Sequence, residues 1–352
     1  MAMTAYIQSI RQISIQEPLC EKWFTDPIVP ASNFNEGIDP DFKSFLSPQV
    51  SRRMGNLFKR AIVTSASALG DFPSEKLGAI ITGTGLGCID NTEKFLLSML
   101  DNGEQCLHPT DFMLSTHNTI SSQIALHLHC NGYNNTYSHR GTSFDSAFLD
   151  AFVQMGLGGI STALVGGNDE MTPKYHLLLD KSGYWKKGPV DEAHLRAGDT
   201  GGSVSGICSL SVFLTKEREM HPMCCVKGFD MLYEPSASVL EAHIASMLSE
   251  AGISSFDSVV TGISGDKCND DVYKNCFDTV YEGKPVLWYK HIFGESFCSS
   301  AFGLYEAAVC LAEKRIPGHL VFKGRPEAPR AILVHNHFQN KDHSLALLTC
   351  SD

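Results

Sequence analysis

The chain has 352 residues and a formal net charge of −11, from 28 Lys and Arg residues against 39 Asp and Glu residues. Hydrophobic residues make up 43% and charged residues 19%, which is typical of globular proteins and excludes extensive disorder. The acidic balance and the lack of a basic run exclude non-specific nucleic-acid binding. The length predicts two domains or one two-lobed unit.

The lack of recognisable targeting signals and the cysteine usage predict a cytoplasmic protein. The apolar runs are all far shorter than the roughly 20 residues of a membrane span, so no span is predicted. Met1 to Gln16 lacks a basic region followed by an apolar block, so no secretory signal is expected. The 12 cysteines are scattered without Cys-x-x-Cys spacing, which favours reduced thiols.

The first part of the chain alternates predicted helices and strands, which is typical of an α/β protein. Apolar residues recur at helical spacing from Arg53 to Leu69, and the following strand runs into a glycine-rich turn. The predicted elements are a helix at 53–69, a strand at 79–82, a strand at 135–138, a helix at 144–155, and strands at 163–167 and 208–214.

The second part of the chain repeats this order. Ser238 and Glu241 have the spacing of a capping box, and the apolar stripe at 240–251 predicts the helix that follows. A strand at 258–261 then runs into a glycine-containing turn at 262–265. This unit lies about half a chain length after its counterpart, which indicates internal duplication.

The glycine-rich turn at 83–87 has the spacing G-x-G-x-G. Dinucleotide-binding proteins use G-x-G-x-x-G, so the sequence predicts a tight structural turn, with phosphate binding as the alternative. Asp270 and Asp271 are predicted to lie in a solvated turn rather than to act as an acid–base pair.

Two histidine pairs have the spacing of one strand face. They are His127 with His129, and His335 with His337. Metal sites need three or four ligands with supporting partners, and no further ligand stands at a set spacing from either pair. The sequence therefore predicts no metal and no other cofactor, with zinc as the alternative.

Five ordered segments resemble the β-ketoacyl synthases of the thiolase superfamily over nearly the whole chain. They are 52–87 with its AIITGTGLG stretch, 110–125, the strand-to-helix turn at 136–147, 290–306 and 335–348. Lys290 and Gly294 are in register with the family motif K-x-x-x-G-H. The resemblance implies the thiolase fold, with duplicated α/β halves at 1–215 and 216–352, each containing a five-stranded mixed sheet, packed as α-β-α-β-α layers.

The resemblance implies that the family's catalytic residues are missing. The nucleophilic Cys corresponds to Gly141, the first His to Gly262 and the second His to Glu295. The gate motif near the C-terminus starts at Phe338 and lacks its glycines. Condensation needs a thiolate to carry the acyl chain and imidazoles to stabilise the enolate. We therefore expect no catalytic residue in this chain.

This pattern is similar to chain-length factors, the non-catalytic subunits that pair with an active ketosynthase. The resemblance implies a heterodimer, paired through the strand near 135–138 and the helix at 118–128, that shapes the tunnel for a fatty-acid-like, polyketide or aryl-polyene chain. Because this chain is acidic, acyl carrier protein is expected to bind mainly through the catalytic partner. The implied tunnel or interface residues are Phe112, Met113, Thr116, Thr119, Ile120 and Arg140.

Two alternatives stay open. An active acyltransferase or condensing enzyme on the same fold would use relocated groups, either Cys298 with Glu295 or Ser143 with His139. A neighbouring glutamate does not lower the pKa of a thiol, which weighs against the first pair. The other alternative is a homodimeric acyl-binding or scaffold protein that has no enzymatic partner.

Overall fold

The structure is a computed structural model that describes residues 3–52, 54–105, 107–219 and 221–351, apart from the side chain of Val50. Arg53, at the start of the predicted helix 53–69, lies outside the described residues. The strands are β1 (Ala5–Ile13), β2 (Ala79–Gly83), β3 (Tyr133–Tyr137), β4 (Thr162–Asp169), β5 (Cys208–Thr215), β6 (Cys224–Tyr233), β7 (Ser258–Thr261), β8 (Val286–Trp288), β9 (Val321–Lys323), β10 (Ala331–Phe338) and β11 (Asp342–Thr349). The helices are α1 (Pro48–Ser51), α2 (Asn56–Leu69), α3 (Ile89–Asn102), α4 (Pro109–Ser115), α5 (Thr119–Leu128), α6 (Ser143–Gly156), α7 (Pro173–Lys181), α8 (Glu192–Ala197), α9 (Ala237–Ala251), α10 (Lys267–Lys274), α11 (Lys290–Phe293) and α12 (Ser300–Ala312).

The strand order is the same in both parts of the chain. Outward from the centre of the sheet it is β1, β5, β4, β2, β3 on one side and β6, β11, β10, β7, β8 on the other. On each side the first two pairings are antiparallel and the next two are parallel. This repeat confirms the predicted duplicated α/β fold, whereas the limits 1–215 and 216–352 stay a prediction.

In the described residues, hydrogen bonding joins the two halves into one sheet of eleven strands, where two five-stranded sheets were predicted. The junction is short, because β1 pairs with β6 only from Ala5 to Ile7, opposite Cys224 to Val226. The additional strand is β9, which pairs antiparallel with β8 at the edge of the second half.

Helices cover the halves on both sides and fill the space between them. The inner helices are α6 and α12, which pack on each other and on strands of their own half. Residues 300–311 of α12 are all buried, as expected for a helix enclosed on every side. In the outer layers, α2 and α5 pack on the first half and α9 packs on the second. None of the helices in the described part of the chain combines the length and apolarity that crossing a membrane requires.

A buried carboxylate links the inner helices. Asp145 of α6 accepts hydrogen bonds from Ser300 Oγ of α12 and from Ser344 Oγ of β11, each at 2.7 Å. Burial raises the pKa of Asp145, although both serine donors oppose this shift. These contacts bind the first half to the second at the centre of the molecule.

The start of α9 differs from the predicted capping box. The N-cap residue is Ser236, whose Oγ accepts a hydrogen bond from Val239 N–H at 3.3 Å. The predicted cap, Ser238, was wrong because the helix begins at Ala237 and already includes it. The end is as predicted, since Gly252 adopts the left-handed conformation, with φ 69°, that terminates helices.

Candidate functional site

The strand-to-helix turn between β3 and α6 carries no nucleophile. A short 3-10 turn, Arg140–Thr142, connects the two elements. Arg140 adopts a left-handed backbone with φ 52°, and its side chain is exposed. A β-carbon added to Gly141 would overlap the ring of Phe338. The space beside Gly141 is therefore occupied by an aromatic ring from β10.

The second implied catalytic position, Gly262, is also closed by neighbouring side chains. It follows β7, and a β-carbon there would lie 2.6 Å from Tyr273 Oη and 3.1 Å from Asn336 Oδ1. Asn336 Oδ1 in turn accepts a hydrogen bond from Tyr289 Oη at 2.7 Å. Replacing Gly262 by His would require Tyr273 and Asn336 to move.

The third position, Glu295, is held by an ion pair. Glu295 Oε2 lies 2.6 Å from Lys290 Nζ, and Oε1 accepts a hydrogen bond from Ser299 Oγ at 2.6 Å. Both oxygens accept hydrogen bonds, which is the pattern of an ionised carboxylate. A carboxylate here opposes the negative charge of an enolate instead of stabilising it.

These three positions surround one cavity of about 240 Å³. Lys290, Asn336 and Phe338 also contribute to its wall. The structure therefore brings together the positions that the resemblance implied, although they are distant in sequence. It provides a pocket of mixed polar and apolar lining, without a thiolate or a free imidazole among these positions.

The first relocated pair, Cys298 with Glu295, is not arranged for nucleophilic chemistry. The Cys298 thiol is fully buried and donates to the Gly83 carbonyl at 3.3 Å. Burial raises the pKa of the Cys298 thiol well above its ordinary value, and the nearby Asp169 carboxylate adds to this shift. The geometry thus keeps Cys298 in its unreactive thiol form.

The second relocated pair, Ser143 with His139, does not form through its side chains. Ser143 Oγ donates to the Arg140 carbonyl at 2.7 Å and accepts from the backbone N–H of His139 at 2.9 Å. The imidazole Nδ1 of His139 instead lies 2.9 Å from Ser146 Oγ. Ser143 therefore acts as a cap of the turn.

The glycine-rich turn at 83–87 is organised by a buried carboxylate. Asp169, at the end of β4, accepts hydrogen bonds from Gly85 N–H, Leu86 N–H and Thr84 Oγ at 3.0, 3.0 and 3.1 Å. Burial raises the pKa of Asp169 to about 6, although the amide donors favour its ionised form. Because these amides are already paired, they are not available to bind a phosphate.

The corresponding turn of the second half is also bound by a carboxylate. Asp270 is buried and accepts from the backbone N–H groups of Ser264 and Gly265 at 2.8 and 2.9 Å. Burial raises the pKa of Asp270 to about 6. The prediction of a solvated turn was wrong for Asp270, because α10 begins at Lys267 and directs this residue inward. Asp271 is exposed, as predicted.

The implied tunnel residues lie apart from the cavity. None of Phe112, Met113, Thr116, Thr119, Ile120 and Arg140 is among the described residues that line it. Phe112 and Met113 are 55% and 66% exposed on α4. Thr116 and Thr119 bond to each other at 2.7 Å between α4 and α5, and Ile120 is buried in the core of the first half.

The two histidine pairs differ in the structure. His127 lies in α5 and His129 is its left-handed C-cap, so they do not share a strand face. His335 and His337 do share a face of β10, and both are buried. In the described residues, no group of three or more His, Cys, Asp or Glu side chains is arranged to hold a metal ion.

Three contributors to the site were not identified from the sequence. The contact between Phe338 and Gly141, and the carboxylate of Asp169 under the first turn, join residues that are far apart in the chain. Local patterns carry no signal for such contacts. The third contributor, Asn336, alternates with His335 and His337 along β10 and therefore lies on the other face of that strand. This alternation is only a weak sequence signal for a role in the site.

The repeated sheet with its enclosed helix pair is the thiolase fold found in ketosynthases. A structure described as the ishigamide ketosynthase/chain length factor has a TM-score of 0.79 with this chain, at 16% identity, over 100% of both chains. A ketosynthase of the bacillaene synthase from Bacillus subtilis gives 0.77 at 12% identity, covering 99% of this chain and 72% of the other.

A third similar structure is the complex AntDE:AntF, described as a type II polyketide synthase acyl carrier protein with its ketosynthase bound to the hexaketide. Its TM-score is 0.76 at 11% identity, over 99% of this chain and 100% of the other. The sequence matches no protein-family model, and no curated protein sequence matches it. At these identities the similarity establishes the fold.

Proposed function

We propose that this chain is a non-catalytic, ketosynthase-like subunit, a chain-length factor, that pairs with an active β-ketoacyl synthase. The observation that carries the proposal is the occupation of the catalytic positions. Gly141 packs against Phe338, Gly262 packs against Tyr273, and Glu295 is paired with Lys290. A chain that lacks the thiolate and the imidazoles cannot load an acyl group or stabilise an enolate there.

The pairing surface in this proposal is the free edge of the first half. In the described residues β3 pairs only with β2, so its other edge is open to a strand from a partner. Exposed apolar side chains surround that edge, including Leu126 at 68% and Tyr133 at 40% exposure. A partner would bury these groups in an interface of the obligate type.

The residues implied to form the tunnel belong to this same side of the chain. We propose that Phe112, Met113, Thr116 and Thr119 form part of the wall that limits the acyl chain, with Ile120 supporting them from the core. Exposed apolar side chains such as Phe112 and Met113 are suited to contact a growing hydrocarbon. Arg140, exposed next to β3, would contact the partner subunit.

The wider assembly follows from the charge and the fold. With a net charge of −11, this subunit is a poor surface for an acidic carrier protein, which would bind the catalytic partner. The product would be a fatty-acid-like, polyketide or aryl-polyene chain. The structure described as a ketosynthase/chain length factor supports this proposal through its shared fold. Within the subunit, we propose residues 1–215 and 216–352 as the two halves.

Co-expression with a ketosynthase that carries an intact Cys-His-His set tests the proposal. We expect the two chains to copurify as a heterodimer, and the isolated chain to form no covalent acyl intermediate when given an acyl thioester. Chain-length analysis by mass spectrometry should show shifted products for the double variant Phe112→Ala/Met113→Ala.

The matched control for the tunnel variant is Leu157→Ala, which removes an 80% exposed leucine at the end of α6. It should leave both copurification and product length unchanged. A stable monomer that never alters product length would contradict the proposal, and a stable homodimer would favour the acyl-binding alternative. A covalently acylated isolated chain would favour the active-enzyme alternative.

A further inference from the structure

Two cysteines lie opposite each other where β6 begins and β11 ends. The two strands are antiparallel, and their register runs to Thr349 opposite Cys225. The next position in this register places Cys350 opposite Cys224, the first residue of β6. Directly opposite residues of an antiparallel pair have β-carbons about 4.5 to 5.5 Å apart. The backbone therefore brings the two cysteine side chains to neighbouring positions.

The chain remains beside β6 past this pair, although β11 itself ends one residue earlier. Ser351 Oγ donates to the Pro222 carbonyl at 3.1 Å. On the other side, Cys350 N–H donates to the Arg330 carbonyl at 2.9 Å, which continues the pairing of β10 with β11. These two hydrogen bonds hold the backbone of Cys350 in its place opposite Cys224.

The two cysteine side chains share one face of the sheet. Cys224 is fully buried in the core around α6 and α12, and Cys350 packs against the same core while partly exposed. Cys225 faces the other side, because side chains alternate along a strand. Cys224 is therefore positioned to react with Cys350, whereas Cys225 is not.

We propose that Cys224 and Cys350 form a reversible disulfide when the protein meets an oxidant, and that this bond links the end of β11 to the start of β6. A disulfide needs β-carbons about 3.5 to 4.5 Å apart, so side-chain rotation and a shift of about 1 Å are sufficient. Neither cysteine is among the described residues that line the cavity, so this is a second site.

The bond forms by two thiol–disulfide exchange steps. The Cys350 thiolate attacks a low-molecular-weight disulfide, such as oxidised glutathione, and releases one glutathione thiolate. The Cys224 thiolate then attacks the Cys350 sulfur of this mixed disulfide and releases the second glutathione thiolate. Two cysteine thiols are oxidised, one external disulfide is reduced to two thiols, and the protons of the cysteines pass to the leaving thiolates.

Exposure determines the order of the two steps. Cys350 is partly exposed, so it meets the external disulfide first. Burial raises the pKa of the Cys224 thiol well above its ordinary value, and the neighbouring thiols of Cys225 and Cys350 add to this shift. Cys224 therefore reacts when the strand ends open locally, and we expect the second step to be the slower one.

The disulfide would strengthen the short junction between the two halves. Cys224 also lies opposite Ile7 of β1, in the pairing that joins the halves into one sheet. The new bond closes a loop that spans β6 to β11, and in the chain-entropy view long loops gain most from a cross-link. The oxidised chain should therefore unfold at a higher temperature than the reduced chain.

Disulfide mapping of the full chain tests the site. The reduced protein is incubated with oxidised glutathione, blocked with N-ethylmaleimide, digested without reduction and analysed by tandem mass spectrometry. We expect a peptide that links Cys224 to Cys350 and that disappears on treatment with dithiothreitol. Cys268, exposed on α10, should carry glutathione and shows that the oxidant has acted. The proposal is overturned if Cys268 is modified while no such link forms, or if Cys350 links instead to Cys310 of the same core.

Single variants identify the reacting sulfur atoms. Cys224→Ser and Cys350→Ser should abolish the link. Cys225→Ser, the matched control on the other face, and Cys310→Ser should retain it. Equal losses in Cys224→Ser and Cys225→Ser would contradict the assigned faces and overturn the proposal. Because Cys350 is only partly buried, Cys350→Ser should fold even where a variant of a buried cysteine does not.

Thermal denaturation measures the effect of the link on stability. Oxidised wild type should have a Tm about 5 °C above that of the reduced protein, as expected for a long closed loop in a chain of this size. Cys350→Ser should show no such rise, although its Cys268 is still modified by glutathione. Oxidised wild type that carries the link but melts no higher than the reduced protein would contradict the stabilising role of the bond.

Discussion

The two halves of the molecule close the same glycine turn with carboxylates from different places. In the first half Asp169, at the end of β4, binds the turn at 83–87. In the second half the corresponding strand is β10, which ends at Phe338, and the turn is bound by Asp270 of α10. Supplying the carboxylate from a helix leaves the end of β10 free to place an aromatic ring on Gly141. A carboxylate therefore binds the turn in both halves, whereas the end of β10 contacts Gly141 instead of binding a turn.

Removing Asp169 should have the largest effect, because this carboxylate accepts from two amides and a hydroxyl. Asp169→Ala leaves those donors buried and unpaired, and we expect it to lower the free energy of unfolding by about 4 kcal/mol. Urea denaturation measures the change. Asp71→Ala, at an exposed site of the same half, is the control and should stay within about 0.5 kcal/mol of wild type.

Asp270→Ala tests whether the carboxylate supplied by α10 stabilises the turn of the second half as Asp169 stabilises that of the first. It leaves two amides without an acceptor, so we expect a loss of about 3 kcal/mol, less than for Asp169→Ala. The neighbouring Asp271→Ala, at an exposed position, should change little. If Asp270→Ala and Asp271→Ala had equal effects, the burial of Asp270 would be contradicted and the prediction of a solvated turn would be supported.

Glu306 is a useful contrast to Asp169 and Asp270, because it is a buried carboxyl group that accepts no hydrogen bond. It lies in α12 with both oxygens unpaired, and burial raises its pKa well above the ordinary value. A raised folded pKa adds stability below the unfolded pKa of about 4.3 that is lost as the pH rises. Relative to Glu306→Gln, wild type should therefore lose about 1.4 kcal/mol between pH 5 and pH 6.

The pH dependence of urea denaturation measures this difference. Glu313→Gln, at the exposed end of the same helix, is the control and should run parallel to wild type over this range. Parallel curves for wild type and Glu306→Gln would mean that Glu306 is not the proton-binding group.

The smallest expected effect concerns the helices that precede the two turns. The N-cap of α2 is Gly55, which offers no side-chain acceptor, whereas α9 has Ser236. Ser236→Ala should lower the free energy of unfolding by about 1 kcal/mol, as is usual for the loss of a cap. Ser238→Ala is the matched variant, and thermal denaturation should show the smaller change for it. The reverse order would support the predicted capping box.

The sequence predicted the elements with strong periodicity and missed contacts between distant residues. Apolar spacing located α6 and β7, because burial of one face or of a short strand imposes a local pattern. The family resemblance matched Gly141 and Gly262 to catalytic positions, and the structure places both at one cavity. Neither source shows that Phe338 covers Gly141, which depends on how the halves pack, or that Asp270 is buried, which depends on where α10 begins.

The bonds of Asp145 to Ser300 and Ser344 have a consequence for how the chain can be divided. Cutting between residues 215 and 216 would leave Asp145 on one fragment and its hydrogen-bond partners, Ser300 and Ser344, on the other. It would also expose α12, which is enclosed on all sides in the intact chain. The proposed boundary is therefore not a line along which the protein can come apart, and we expect the chain to melt in a single cooperative transition.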